Sequence, residues 1–167
     1  HYVAKYKAAH VSKMALFGAA APIWTKRADF NYGFWTKEDV NGLISLNNTN
    51  RPQLLANFGT IFPANETSVS AGQGAWLGTI QAQASPYAMA EGLKTLRDSD
   101  LREDLTKITI PTLILHGKLD KICSYELAEQ MNKGLKNSKL VPFEKSGHAL
   151  FIEELDKFNT ELLNFIK

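Results

Sequence analysis

Apolar residues fall into two rhythms along this chain. Near its two ends they come in short unbroken runs, KMALFG at 13–18, ITIPTLILHG at 108–117 and KLVPF at 139–143. All three predict strands, and KMALFG is of the continuous apolar kind expected in a parallel sheet covered on both faces. Between the first two runs, from about Trp24 to Lys107, the spacing is helical and strand signals are lacking. Thr36 with Asp39 three residues later predicts a capping box ahead of Val40, Leu43 and Ile44. Ser85 before Pro86 predicts another helix start, with Met89, Leu93 and Leu96 as its apolar stripe. SYELAEQMNKG carries a serine at its start and a glycine at its end, the two stop signals of a helix. After SGH, the residues Phe151, Leu155, Phe158, Leu162 and Phe165 predict one face of a terminal helix. HYVAKYK reads as the last turns of a helix, with AAH as its exit.

Strand, helix, strand, helix at this spacing implies right-handed crossovers in a parallel sheet, hence an α/β fold. Three blocks follow: 1–23 as core, 24–107 as an inserted helical cap, and 108–167 as core with two strands and two helices. Pro111 belongs at the start of its strand, because proline has no amide to give a central ladder.

Composition narrows the function. A formal charge of +2, with lysines and acids interspersed, offers no basic face for nucleic acid. No apolar run approaches the roughly 18 residues that span a bilayer. The stretch MALFGAAAPIW imitates a signal peptide, but its apolar part also fits a buried strand. A single cysteine, Cys123, rules out an internal disulfide. A cytoplasmic location is the expectation.

Ligands of open parallel sheets bind at the carboxyl ends of the strands. Two titratable residues fall there, Asp120 just after TLILHG and His148 just after KLVPF, 28 residues apart. That interval holds one helix and one strand, so neighbouring strands would set the two loops side by side. A carboxylate there can fix the histidine tautomer and leave the second ring nitrogen free as a general base. Each residue also has a purely structural reading, Asp120 as a helix cap and His148 as a half-buried loop residue. His116 reads as a strand-end residue rather than a catalyst.

PTLILHGKLD, SGHALF and the terminal helix resemble the closing section of an α/β-hydrolase, whose triad runs nucleophile, acid, histidine. KMALFGAAAP resembles the sixth strand of that fold and the loop after it. DSDLREDLTKITIPTLILHG is similar to the cap exit and seventh strand of bacterial arylesterases and cofactor-free haloperoxidases. The resemblance implies Asp120 as the triad acid, His148 as the base, and Ile122 and Tyr125 at the acyl pocket. Trp24 and Trp76 are further candidates for an apolar pocket under the cap, with buried packing the alternative for each. No metal or organic cofactor is required by such a triad.

The nucleophile is missing. No serine has glycine two residues before and two after; Ser70 in SVSAG comes nearest, with Gly72 but also Ser68. Cys123, three residues beyond the acid, suits apolar packing better than attack. The expectation is therefore a C-terminal portion of a hydrolase acting on small carboxylic esters, with its nucleophile upstream of His1 and no activity by itself. The KMALFG strand would then have an open edge, to be filled by the N-terminal half or by self-association. Two alternatives stay open: a haloalkane dehalogenase or carbon–carbon bond hydrolase on the same fold, and a non-catalytic binding module.

Overall fold

The computed structural model describes residues 1–167. Strands β1 (Met14–Phe17), β2 (Thr112–Gly117) and β3 (Ser138–Phe143) form a three-stranded parallel sheet in the order β1, β2, β3. Leu16, Ile114 and Leu140 lie in one row of the register, and Phe17, Leu115 and Val141 in the next. Every residue of β2 is buried, which is why TLILHG is apolar without alternation. Pro111 precedes the first ladder residue, and its carbonyl accepts from the Met14 amide at 3.0 Å.

Helices surround the sheet: α1 (Tyr2–Lys5), α2 (Lys37–Thr49), α3 (Arg51–Ile61), α4 (Ala71–Ala82), α5 (Pro86–Asp98), α6 (Arg102–Lys107), α7 (Tyr125–Gly134), α8 (Leu150–Glu153) and α9 (Leu155–Ile166). Alternate strand residues serve two cores. Ile114 joins Ala4, Leu105, Ile108, Ala128, Met131 and Leu135 in one. Leu113 and Leu115 join Val141, Phe143 and Leu150 in the other, where Phe158 and Phe165 also pack. A third cluster, Ile23, Trp24, Phe30, Val40, Leu93, Cys123 and Leu127, fastens α2 and α5 to the start of α7.

Local signals act as the sequence indicates at two helix starts. Thr36 and Asp39 form a reciprocal capping box, and the Ser85 hydroxyl accepts from the Ala88 amide. Ser70, the near miss for a nucleophile, is the capping residue of α4 and pairs with Gln73.

Three expectations need correction. Residues 24–36 are irregular rather than helical, with bridges between Thr25 and Trp35 and between Arg27 and Phe30. The chain crosses itself so closely there that a β-carbon on Gly33 would come within 2.2 Å of the Trp24 carbonyl oxygen. Ser124 stands at the N-cap position of α7 but its side chain caps no amide, the hydroxyl donating to the Tyr32 carbonyl instead, and Gly134 lies in the last turn against Leu105 rather than beyond it. The terminal helix breaks at Glu154, whose backbone leaves the helical region. The break turns Leu155 outward, 51% exposed, while Phe158 and Phe165 keep the core contact.

Candidate active site

Two loops at the carboxyl end of the sheet are stitched together by backbone. Lys118 N–H donates to the Phe143 carbonyl at 2.8 Å and Leu119 N–H to the Ser146 carbonyl at 3.0 Å. Their approach demands glycine: a β-carbon on Gly117 would lie 2.1 Å from the Gly147 oxygen and 2.3 Å from that of Ser146. Folding of β2 beside β3 therefore brings Asp120 and His148 together.

The Asp120 side chain is wholly buried and fully engaged. Its Oδ1 accepts from the amides of Ile122 at 2.8 Å and Cys123 at 2.9 Å. Its Oδ2 lies 2.8 Å from His148 Nδ1. A carboxylate can only accept, so the imidazole proton sits on Nδ1 and Nε2 carries the lone pair. The imidazole is 24% exposed, so the free nitrogen belongs to a ring that solvent can reach. The histidine backbone is held as well, its amide donating to the Phe62 carbonyl at 2.9 Å while the Phe62 ring meets the imidazole edge-on. This pair can take a proton from a hydroxyl and return it to a leaving group.

His116 is the second histidine near the acid. It is completely buried, its Nε2–H donates to the Cys123 carbonyl at 2.9 Å, and that nitrogen is 3.5 Å from Asp120 Oδ2. Burial pushes its pKa below the ordinary histidine value, so the ring is neutral at pH 7. With Nε2–H committed to a carbonyl, His116 is a structural neighbour of the acid. Burial pushes the Cys123 thiol well up, which leaves it un-ionised and suited to packing.

The four residues suggested for substrate contact occupy different surroundings. Ile122 gives its amide to Asp120, and its carbonyl accepts the indole N–H groups of Trp24 and Trp35 at 3.0 and 2.9 Å. Trp24, 2% exposed, is thus a core residue that braces the acid loop from behind. Tyr125 opens α7 with the Lys118 ammonium 3.5 Å from its ring centre and its ring edge-on to His116. Trp76, on α4, is 59% exposed. An apolar cavity of about 710 Å³ lies elsewhere, between α3 and α4, with Leu55, Phe58, Phe62, Val69, Leu77 and Ile80 in its wall. None of the four lines it.

Three contributors escaped the sequence reading. Gly18, directly after β1, has a φ of +52°, and a β-carbon there would lie 3.0 Å from His148 Cε1 and Nδ1 and 3.4 Å from Asp120 Oδ2. A glycine at a strand end was its visible signal. Glu153 holds the Gly147 amide at 2.7 Å. In the sequence it is one of several charges at the start of the terminal helix, beside Glu154, Asp156 and Lys157, and nothing marks it out. Phe62 gave no signal, since only the fold carries it to His148.

A family model described as "alpha/beta hydrolase fold" matches residues 1–155. The chain belongs to that family. Among its α/β-hydrolase relatives, the AB hydrolase superfamily protein YisY of Bacillus subtilis is 40% identical over 164 residues, 98% of this chain and 60% of that protein. An esterase from Exiguobacterium antarcticum superposes with a TM-score of 0.90 at 40% identity, covering 98% of this chain and 62% of that one. A bromoperoxidase from Bacillus anthracis gives 0.93 at 27% identity, with coverage of 99% and 61%. This α/β-hydrolase chain therefore spans about three-fifths of the length of these relatives. None of its helices is long and apolar enough to cross a membrane.

Proposed function

We propose that this chain supplies the acid and base of a serine hydrolase acting on small carboxylic esters, with a nucleophile carried by polypeptide before His1. The observation that carries the reading is the 2.8 Å contact between His148 Nδ1 and a buried Asp120, which leaves Nε2 as proton acceptor. Nε2 would take the serine proton during attack on the ester carbonyl and deliver it to the departing alcohol; Asp120 would stabilise the imidazolium. The apolar cavity beside Phe62 suits an acyl group, and the 40% identity to an esterase agrees with ester chemistry. The likeness to a bromoperoxidase favours a second reading on the same residues, acyl transfer to hydrogen peroxide instead of water.

Residues 1–167 alone are expected to be inactive. β1 pairs only with β2, so its other edge is free to accept a strand from the preceding half of the protein or from a second copy. The test is a fluorophosphonate probe with p-nitrophenyl acetate turnover. The complete protein should be labelled at one serine and turn over, losing both signals with His148→Ala, whereas residues 1–167 should do neither. Turnover by residues 1–167 that disappears with His148→Ala would overturn the proposal.

A further inference from the structure

Glu153 reaches in two directions at once. Oε2 accepts from the Gly147 amide at 2.7 Å, directly before His148. Oε1 accepts from the Ala64 amide at 2.7 Å and from the Ser68 hydroxyl, both in the connection between α3 and α4. Facing it, the Phe62 carbonyl accepts from the amides of His148 at 2.9 Å and Ala149 at 3.2 Å. The two segments are in backbone contact, since a β-carbon on Gly147 would stand 2.5 Å from the Ala64 nitrogen. Phe62 and Pro63 are also part of the cavity wall.

We infer that Glu153 is the positioning residue of His148, fastening the histidine loop to the cavity wall so that base and wall move as one body. Neighbouring Glu154 secures only the loop's own start, accepting from the Lys145 amide at 3.1 Å and the Ser146 hydroxyl at 2.6 Å. The function of Glu153 needs a carboxylate. Each oxygen faces a backbone N–H, so a glutamine would point its own N–H groups at one of them.

The inference rests on His148 being the base, but its test needs no turnover and so fails separately from that reading. In the full-length protein, Glu153→Gln should speed amide hydrogen exchange at Gly147, His148, Ala149 and Ala64 together. The expected factor is about 10 to 100, the weight of a hydrogen bond to a charged group. The downfield proton signal of His148 Nδ1–H should broaden, while Leu115 and Val141 in the sheet keep their rates. Ser68→Ala should give a smaller change at the same amides with that signal retained. Faster exchange confined to Gly147 and Ala64, with His148 Nδ1–H unmoved, would overturn the assignment. So would uniform acceleration that includes Leu115 and Val141, which marks a general loss of fold. If Glu153→Gln does not fold, Ser68→Ala decides: faster exchange at His148 and Ala149 supports the role, and unchanged rates there refute it.

Discussion

Helices α7 and α4 are close in length and opposite in construction. α7 drives Leu127, Ala128 and Met131 into the core and shows its charges outward, whereas α4 buries no residue at all. There is no charge from Thr67 to Ala90, and β-carbons on Gly72, Gly74 and Gly78 would meet nothing within 4 Å. Around Asp120, by contrast, backbone atoms leave no room for a methyl group at Gly117 or Gly147. The proton-handling pair thus sits where every neighbour is dictated, whereas the part of the cavity wall formed by α4, unlike the Phe62 end tied to His148, is an element that little holds down. Elements of low local stability are the ones that adapt to ligands. The division would suit the hydrolase proposed above, with a fixed acid–base pair and an adaptable α4.

Substitutions can break that contrast. The largest effect is expected at the acid: Asp120→Asn keeps an acceptor for the two amides but turns an N–H toward His148, reversing its tautomer. Ester turnover by the complete protein should fall about 10⁴-fold with little change in melting temperature. Asp120→Ala should also destabilise, because it leaves the buried amide of Cys123 unpaired at about 1–3 kcal/mol and the half-buried amide of Ile122 without its partner. The two tryptophans come next. Trp24→Ala should cost about 3–5 kcal/mol in urea unfolding, through its cavity and its lost bond to the Ile122 carbonyl. Trp76→Ala should stay within about 0.5 kcal/mol. Equal effects would erase the distinction between a braced acid loop and a loose α4.

Glycines sharpen it further. Gly117→Ala should destabilise by about 1–3 kcal/mol or more, since the backbone must part to admit a methyl. Gly78→Ala, in open space within a helix, should stabilise by about 0.5–1 kcal/mol. The smallest effect is a pH slope. His116 has a depressed pKa in the fold, so below about pH 6.5 the unfolded chain takes up a proton that the folded one refuses. Stability should therefore be complete above that pH and fall as pH drops below it, by at most about 1.4 kcal/mol per unit. His116→Gln should flatten the urea midpoint between pH 5 and 6.5.

Much of this was readable along the chain where neighbours in sequence decide the outcome. The parallel strands show as apolar runs, and Asp120 and His148 stand out because each lies in the short loop just after a run, three and five residues beyond its end. The Thr36 capping box is likewise self-contained. Distance defeats the reading elsewhere. Ser124 looks like a cap for α7, yet its hydroxyl goes to a carbonyl 92 residues away. Glu153 looks like surface charge on a helix, yet its partner amide lies 89 positions earlier. The bend at Glu154 and the irregular path of residues 24–36 have the same origin, in tertiary contacts that outweigh local spacing.

Cys123 brings an experimental handle along with its packing. It is the sole thiol of the chain, and its backbone N–H holds the acid while its carbonyl accepts from His116. An alkylating dye must breach that shelter before it can react, so the labelling rate clocks how often the acid turn breathes. Nature has installed a stopwatch beside the carboxylate, readable in the unmodified polypeptide.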